Sequence, residues 1–169
     1  MAKRLKTKIG DIFSVPINEK EKRYMQLIAY DVLQLNSDVV RCFNHIFPLD
    51  NSPTIDEIIN DDVLFYAHCA TDFGLKLNLW TKESSSENIG SPEKILFRST
   101  KDYGTKVGDK PIRKSDNWHV WHINSKDFNI VGKLEGENQN SFIGLVFNPH
   151  GILELVKGNK YPINYPDYE

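Results

Sequence analysis

Between Asp11 and Ile17 the chain alternates in character residue by residue, and that alternation limits what can be built around it. Ile12, Ser14 and Pro16 fall on one face; Asp11, Phe13, Val15 and Ile17 fall on the other. A period of two over this length marks a half-buried strand, and the proline bounds it. A charged turn, Asn18 to Arg23, follows. The run Tyr24 to Leu35 could be helical on composition, but it pairs naturally with the first strand across that turn, so a strand is expected, closed by Asn36-Ser37-Asp38. Val39 to Phe47 is β-branched and aromatic and stops at Pro48, which completes a three-stranded meander.

Farther along, Thr54 and Glu57 stand at capping-box spacing, which predicts a short helix within 51–60 whose apolar face is Ile55, Ile58 and Ile59. Strands are predicted at Val63–Ala70, Leu75–Trp80, Ile95–Arg98, Trp118–Ile123, Phe128–Gly132 and Phe142–Phe147. Thr81 to Pro92 is polar and reads as a loop, as does the basic, turn-rich stretch 99–117. Asn148-Pro149 opens a second helix that Gly158 ends, and the tyrosine-bearing tail is expected to lie extended over the body. The expected class is α+β: mainly antiparallel sheet or a partly closed barrel, about eight strands with two short helices. A chain of 169 residues suits a single domain, 1–169, with residues 1–10 as a flexible arm.

The net charge of −2 conceals a segregation. From Met25 to Leu75 a single basic residue, Arg41, faces eight acids, whereas Arg98 to Lys114 holds six basic residues and two acids. An acidic surface steers basic partners and repels nucleic acid. The 99–117 loop, with Lys101, Tyr103, Lys106, Lys110, Arg113 and Lys114, has the minimum for a phosphate contact. The near-neutral total argues against a dedicated nucleic-acid binder. No apolar run approaches the ~18–20 residues that span a bilayer, and no apolar stretch follows the basic start, so a cytoplasmic protein without a membrane partner is expected.

Catalytic chemistry finds little purchase. His119 and His122, three apart on a strand, face opposite ways and cannot share an ion. His68 and Cys69 are adjacent and diverge for the same reason; Cys42 and Cys69 read as buried free thiols. Phosphate-loop, nucleophile-elbow and paired-histidine metal signatures are absent, and Asp61-Asp62 lacks the ligand spacing of a calcium loop. No catalytic residue, metal or cofactor is expected.

Lys8-Ile9-Gly10-Asp11-Ile12-Phe13-Ser14-Val15-Pro16, with a following strand begun by Tyr24, resembles the start of the polymorphic-toxin immunity protein family numbered twenty-six. Trp118-His119-Val120-Trp121, then Phe128 to Leu134 and Ile143-Gly144 before Asn148-Pro149, looks like that family's tryptophan-bearing and closing strands. The turn after Ile17 is richer in charge than is usual there, and the 81–117 region is longer. The resemblance implies a small cytoplasmic inhibitor that binds and neutralises a cognate protein toxin; it carries over no catalytic residues. Combined with the charge pattern, it points to Asp50, Asp56, Glu57, Asp61 and Asp62 as the partner-binding residues. A competing expectation is a small-ligand-binding or enzymatic β-rich domain with a pocket near Trp118 and Trp121; self-association as a homodimer is a third.

Overall fold

The computed structural model describes residues 6–103, 108–160 and 164–169. The expected meander is there: β1 (Asp11–Pro16), β2 (Glu21–Asp31) and β3 (Ser37–Phe43) run antiparallel, with Phe13 opposite Met25 and Met25 opposite Cys42. β4 (Phe47–Pro48) pairs with the start of β2, after which α1 (Ile55–Ile59) leads into β5 (Val63–Cys69) beside β3. Then come α2 (Thr71–Lys76) and β6 (Thr81–Ser85), the latter pairing with β1 to give the order β5-β3-β2-β1-β6. β7 (Leu96–Thr100), β8 (Trp118–His122), β9 (Asn129–Gly132) and β10 (Phe142–Ile143) form a second sheet in the order β10-β7-β8-β9, β10 lying parallel to β7. α3 (Pro149–Val156) follows, capped by Asn148, whose side chain accepts the Gly151 amide. The fold is thus α+β, ten strands in two sheets, mostly antiparallel, with three short helices among the described residues. The sheets remain open, and the barrel expected as an alternative does not close.

The main core lies under the first sheet, where Phe13, Val15, Met25, Leu27 and Cys42 meet Trp80, Ile152 and Val156. β1 departs from the half-buried reading because its other face is covered too. Ile12 packs with Tyr24, Phe43, Phe47 and Ile58, so α1 and β4 roof the side that alternation alone leaves open. The two sheets join through Ile28 and Val39 against Phe97 and Trp121.

Other expectations shift for local reasons. The predicted strand 39–47 breaks after Phe43, and the chain rejoins β2 only at Phe47. Ile55 stays exposed while Ile58 is buried and Ile59 half-buried against the same cluster, because a helix this short turns only its later residues inward. The predicted strand Leu75–Trp80 is instead the end of α2 and a turn through Asn78 at φ 55°; Trp80 folds back so that its indole N–H donates to Thr71 O at 3.0 Å. The polar stretch 81–85 is an edge strand rather than a loop. Its polar residues face water, except where Lys82 pairs with buried Asp11 at 2.7 Å and Ser14 donates to Glu83 at 2.7 Å. β7 extends through Thr100, which shortens the basic loop. The strand predicted at 142–147 is only two residues long, then touches β5 through a bridge between Val146 and His68. Gly144 is required there: a Cβ would lie 2.2 Å from the Trp121 ring. Of the expected arm, Thr7 accepts the Tyr30 hydroxyl, and Gly10 at φ 99° donates to Leu27 O at 2.7 Å. Of the tail, residues 161–163 lie outside the described residues; in 164–169, Tyr165 and Tyr168 pack on Trp118, Val120 and Leu134 of the second sheet's cluster.

Candidate functional site

The acids singled out by sequence lie on α1 and in the turns on either side of it, between β4 and β5. The predicted capping box forms. Thr54 Oγ1 accepts the Glu57 amide at 3.2 Å, and Glu57 Oε2 accepts the Thr54 amide at 2.7 Å and its hydroxyl at 2.9 Å. These bonds favour the ionised carboxylate and hold Glu57 below the usual glutamate range. Asp61 is also engaged: Oδ2 accepts the His45 amide at 2.6 Å and Oδ1 the Asp62 amide at 2.8 Å. It thereby ties the break after β3 to the start of β5. The carboxylates of Asp50, Asp56 and Asp62 are exposed and accept no hydrogen bond among the described residues.

Glu57 and Asp61 come together on the wall of a hollow of about 270 Å³, with His45, Phe47 and Asn60 completing it. The His45 and Phe47 rings lie 4.3 Å apart. Asp50, Asp56 and Asp62 do not line it; Asp56 and Asp62 are the chain neighbours of Glu57 and Asp61, and Asp50 lies in the turn before α1. An ammonium or guanidinium entering here meets carboxylate oxygens on one side and ring faces on the other, a combination that suits a desolvated cation. The sequence marked the acids but not His45, Phe47 or Asn60. The one signal for the rings was alternation, which puts His45 and Phe47 on the same face.

The remaining candidates are scattered. His119 stacks on Trp121 at 5.5 Å, whereas His122 on the opposite face holds Ile95 O at 2.9 Å. Cys42 and Cys69 are buried free thiols; burial pushes Cys42 up to about 12 and Cys69 well above the ordinary range, so neither supplies a thiolate at neutral pH. Among the described residues, Trp118 and Trp121 are placed differently. Trp121 walls a groove of about 480 Å³ with Tyr103, His119 and Gly144, while Trp118 is wholly buried beneath Tyr165. Lys101, Tyr103, Lys110, Arg113 and Lys114 of the basic loop are exposed, and Lys106 lies outside the described residues. The loop is anchored where Asp102 accepts Ser115 Oγ at 2.7 Å and where the Ser115 amide donates to Asp167 O at 3.0 Å.

Sequence reasoning missed one pair altogether. His68 Nε2 and Asp31 Oδ2 lie 2.9 Å apart, both without solvent exposure. Burial lowers the His68 pKa, and Asp31 opposes that only in part. The neutral ring therefore donates from Nε2 and leaves Nδ1 without a partner. Asp31 also accepts the Asn124 amide, and Asn124 bonds Tyr30 O and the Val32 amide, joining the end of β2 to the turn after β8. Through Asn124 and through the contact of the His68 ring with Phe97, the pair ties the first sheet to the second.

Among the described residues no group of three or more His, Cys, Asp or Glu is placed to hold a metal ion, and no helix is long and apolar enough to cross a membrane. The chain matches no family model, no curated protein and no solved structure.

Proposed function

We propose that this chain is a non-catalytic, cytoplasmic binding protein of the immunity type, which neutralises a cognate toxin by contact through the α1 region. The observation that carries the reading is the hollow lined by Glu57, Asp61, His45 and Phe47, in a stretch of chain that also exposes the carboxylates of Asp50, Asp56 and Asp62. It fits a Lys or Arg side chain of a basic partner as an anchor, with the outer acids raising the association rate. The toxin assignment rests on the residue resemblance at the two ends of the chain.

The test is co-expression with any toxin-domain protein found to be encoded beside it, measuring survival and the affinity of the purified pair. Asp50, Asp56 and Asp62 are the charges to reverse, since Glu57 and Asp61 also hold the local fold. The triple lysine variant should associate more slowly, with a weaker dependence on salt. Glu57→Gln should weaken binding mainly through faster dissociation. Unchanged affinity and protection in both variants would refute the reading. The second reading, a small-ligand or enzymatic domain, draws on the groove beside Trp121 and predicts instead that Trp121 fluorescence responds to a ligand.

A further inference from the structure

Arg98 projects from β7 on the face of the second sheet that also carries Trp118 and Val120. Its guanidinium carbon stands 5.8 Å from the Trp118 ring centre and 5.3 Å from that of Tyr168. Nη1 donates to the Ser141 carbonyl, but Nε is buried and has no partner. Among the described residues no carboxylate lies within ion-pair distance. Asp167 acts on it only from farther away, and one of its oxygens is taken by the Tyr168 amide. A guanidinium withdrawn from water without a counter-charge is costly, and its fork of donors matches a carboxylate better than any other common group.

Arg41 shows the alternative within the same chain. It is buried more deeply than the half-buried Arg98, yet Nε donates to Gln26 Oε1 at 2.9 Å and Nη2 to Asn88 O at 2.8 Å. Neutral acceptors suffice there. At Arg98 the equivalent acceptor for Nε is missing, and beside it opens a cavity of about 210 Å³ walled by Phe65, Tyr66, Phe142, Ile143 and Leu155. The wall is apolar apart from Arg98, Ser141 and the hydroxyl of Tyr66. Such a volume lies below the ~300–1,000 Å³ of drug-sized sites, so its occupant is small.

We propose that Arg98 and this cavity form a binding site for a small monocarboxylate with an apolar body, the carboxylate on the guanidinium and the body among Phe65, Phe142, Ile143 and Leu155. A doubly charged phosphate is disfavoured, because one cation in an apolar wall leaves its other oxygens without donors. The site lies on the second sheet and does not depend on the acidic hollow or on a toxin partner.

The experiment titrates the full chain with hexanoate, hexan-1-ol and inorganic phosphate, followed by calorimetry and by the NMR signal of the Arg98 Nε–H. Hexanoate should saturate at one per chain, with hexan-1-ol at least about tenfold weaker and phosphate weaker still. The Nε–H signal should move on hexanoate addition only. Arg98→Met should erase the preference for acid over alcohol, and Arg98→Lys should restore part of it. Should Arg98→Met fail to fold, the Nε–H signal of the unaltered chain decides the matter by itself. Equal binding of acid and alcohol, a static Nε–H signal, or no saturable binding of hexanoate overturns the proposal.

Discussion

In the first sheet, buried polar groups are mostly spoken for: Arg41 by Gln26 and Asn88, Gln26 by the carbonyls of Gly10 and Ser86, Asp11 by Lys82 and the Lys8 amide. In the second, Arg98 Nε and Trp121 Nε1 are buried without partners. The remaining such atom, His68 Nδ1, is the first sheet's exception: it sits on β5, in a ring that meets Phe97 of the second sheet at 4.3 Å. Empty volume leans the same way. Hollows of about 660 and 480 Å³ border strands of the second sheet and the cavity of about 210 Å³ lies where β7 and β10 meet β5, whereas the first sheet has the acidic hollow of about 270 Å³ beside β4. The first sheet is the better-satisfied frame; the second keeps more unsatisfied donors next to larger spaces, which is where a molecule can still gain by adding a ligand.

The sharpest way to break this comparison is to hollow out the frame. Phe13→Ala should cost about 3–5 kcal/mol, because Phe13 is wholly enclosed in the main core. Ile130→Ala on β9, where the side chain is 87% exposed, should change stability by less than about 0.5 kcal/mol. Urea unfolding of both variants checks the pair, and equal losses would show that burial does not set the cost at these two positions. Gly144→Ala comes next. Its new methyl group would strike the Trp121 ring, but the groove beside that ring offers somewhere to move, so a loss of about 1–3 kcal/mol is expected, short of the Phe13 effect.

The seam between the sheets should show itself in pH. His68 has a folded pKa below its ordinary value because of burial, so below about pH 6.5 the unfolded chain binds a proton that the folded chain resists. Stability is therefore complete above that pH and declines as pH falls, by at most about 1.4 kcal/mol per unit for this one group. His119, lowered by burial and by Lys101, adds with the same sign. Asp31→Asn should carry the decline to lower pH, since it removes the group that favours the protonated ring. Thermal melts between pH 7.5 and 5.5 test this, and a stability that rises on acidification would contradict it. Smallest is Thr54→Ala: it removes the α1 cap at a cost of about 1 kcal/mol and should leave both sheets' amide exchange unaltered.

What the sequence revealed follows how local the cause was. The Thr54–Glu57 box and the Asn148-Pro149 cap are settled within one turn of chain, and both formed as read. The meander was legible because its strands are neighbours in sequence. α2 was not: Ala70 offers no side-chain cap, and Gly74 sits mid-helix because Trp80 leaves no room for a Cβ. β6 carries polar residues since it is an edge, and only its pairing with β1 makes it a strand. At the candidate site the acids were visible as a run, whereas the rings opposite them arrive from β4 and the break before it. The Arg98 cavity draws on β5, β7, β10 and α3, an assembly no single window of sequence contains.

The segment from Phe142 to Phe147 touches both sheets in quick succession. Phe142 and Ile143 pair with β7, the Gly144 amide donates to Arg98 O, and the Phe147 amide donates to His68 O. Each contact needs a strand that is already in place, and the link to His68 closes one of the chain's long loops. The entropy of that closure is lost before any bond is gained, so this strip docks late in folding, after the frame and the β7–β8 hairpin exist. It is the last stitch, and substitutions along it should speed unfolding while leaving the refolding rate nearly unchanged.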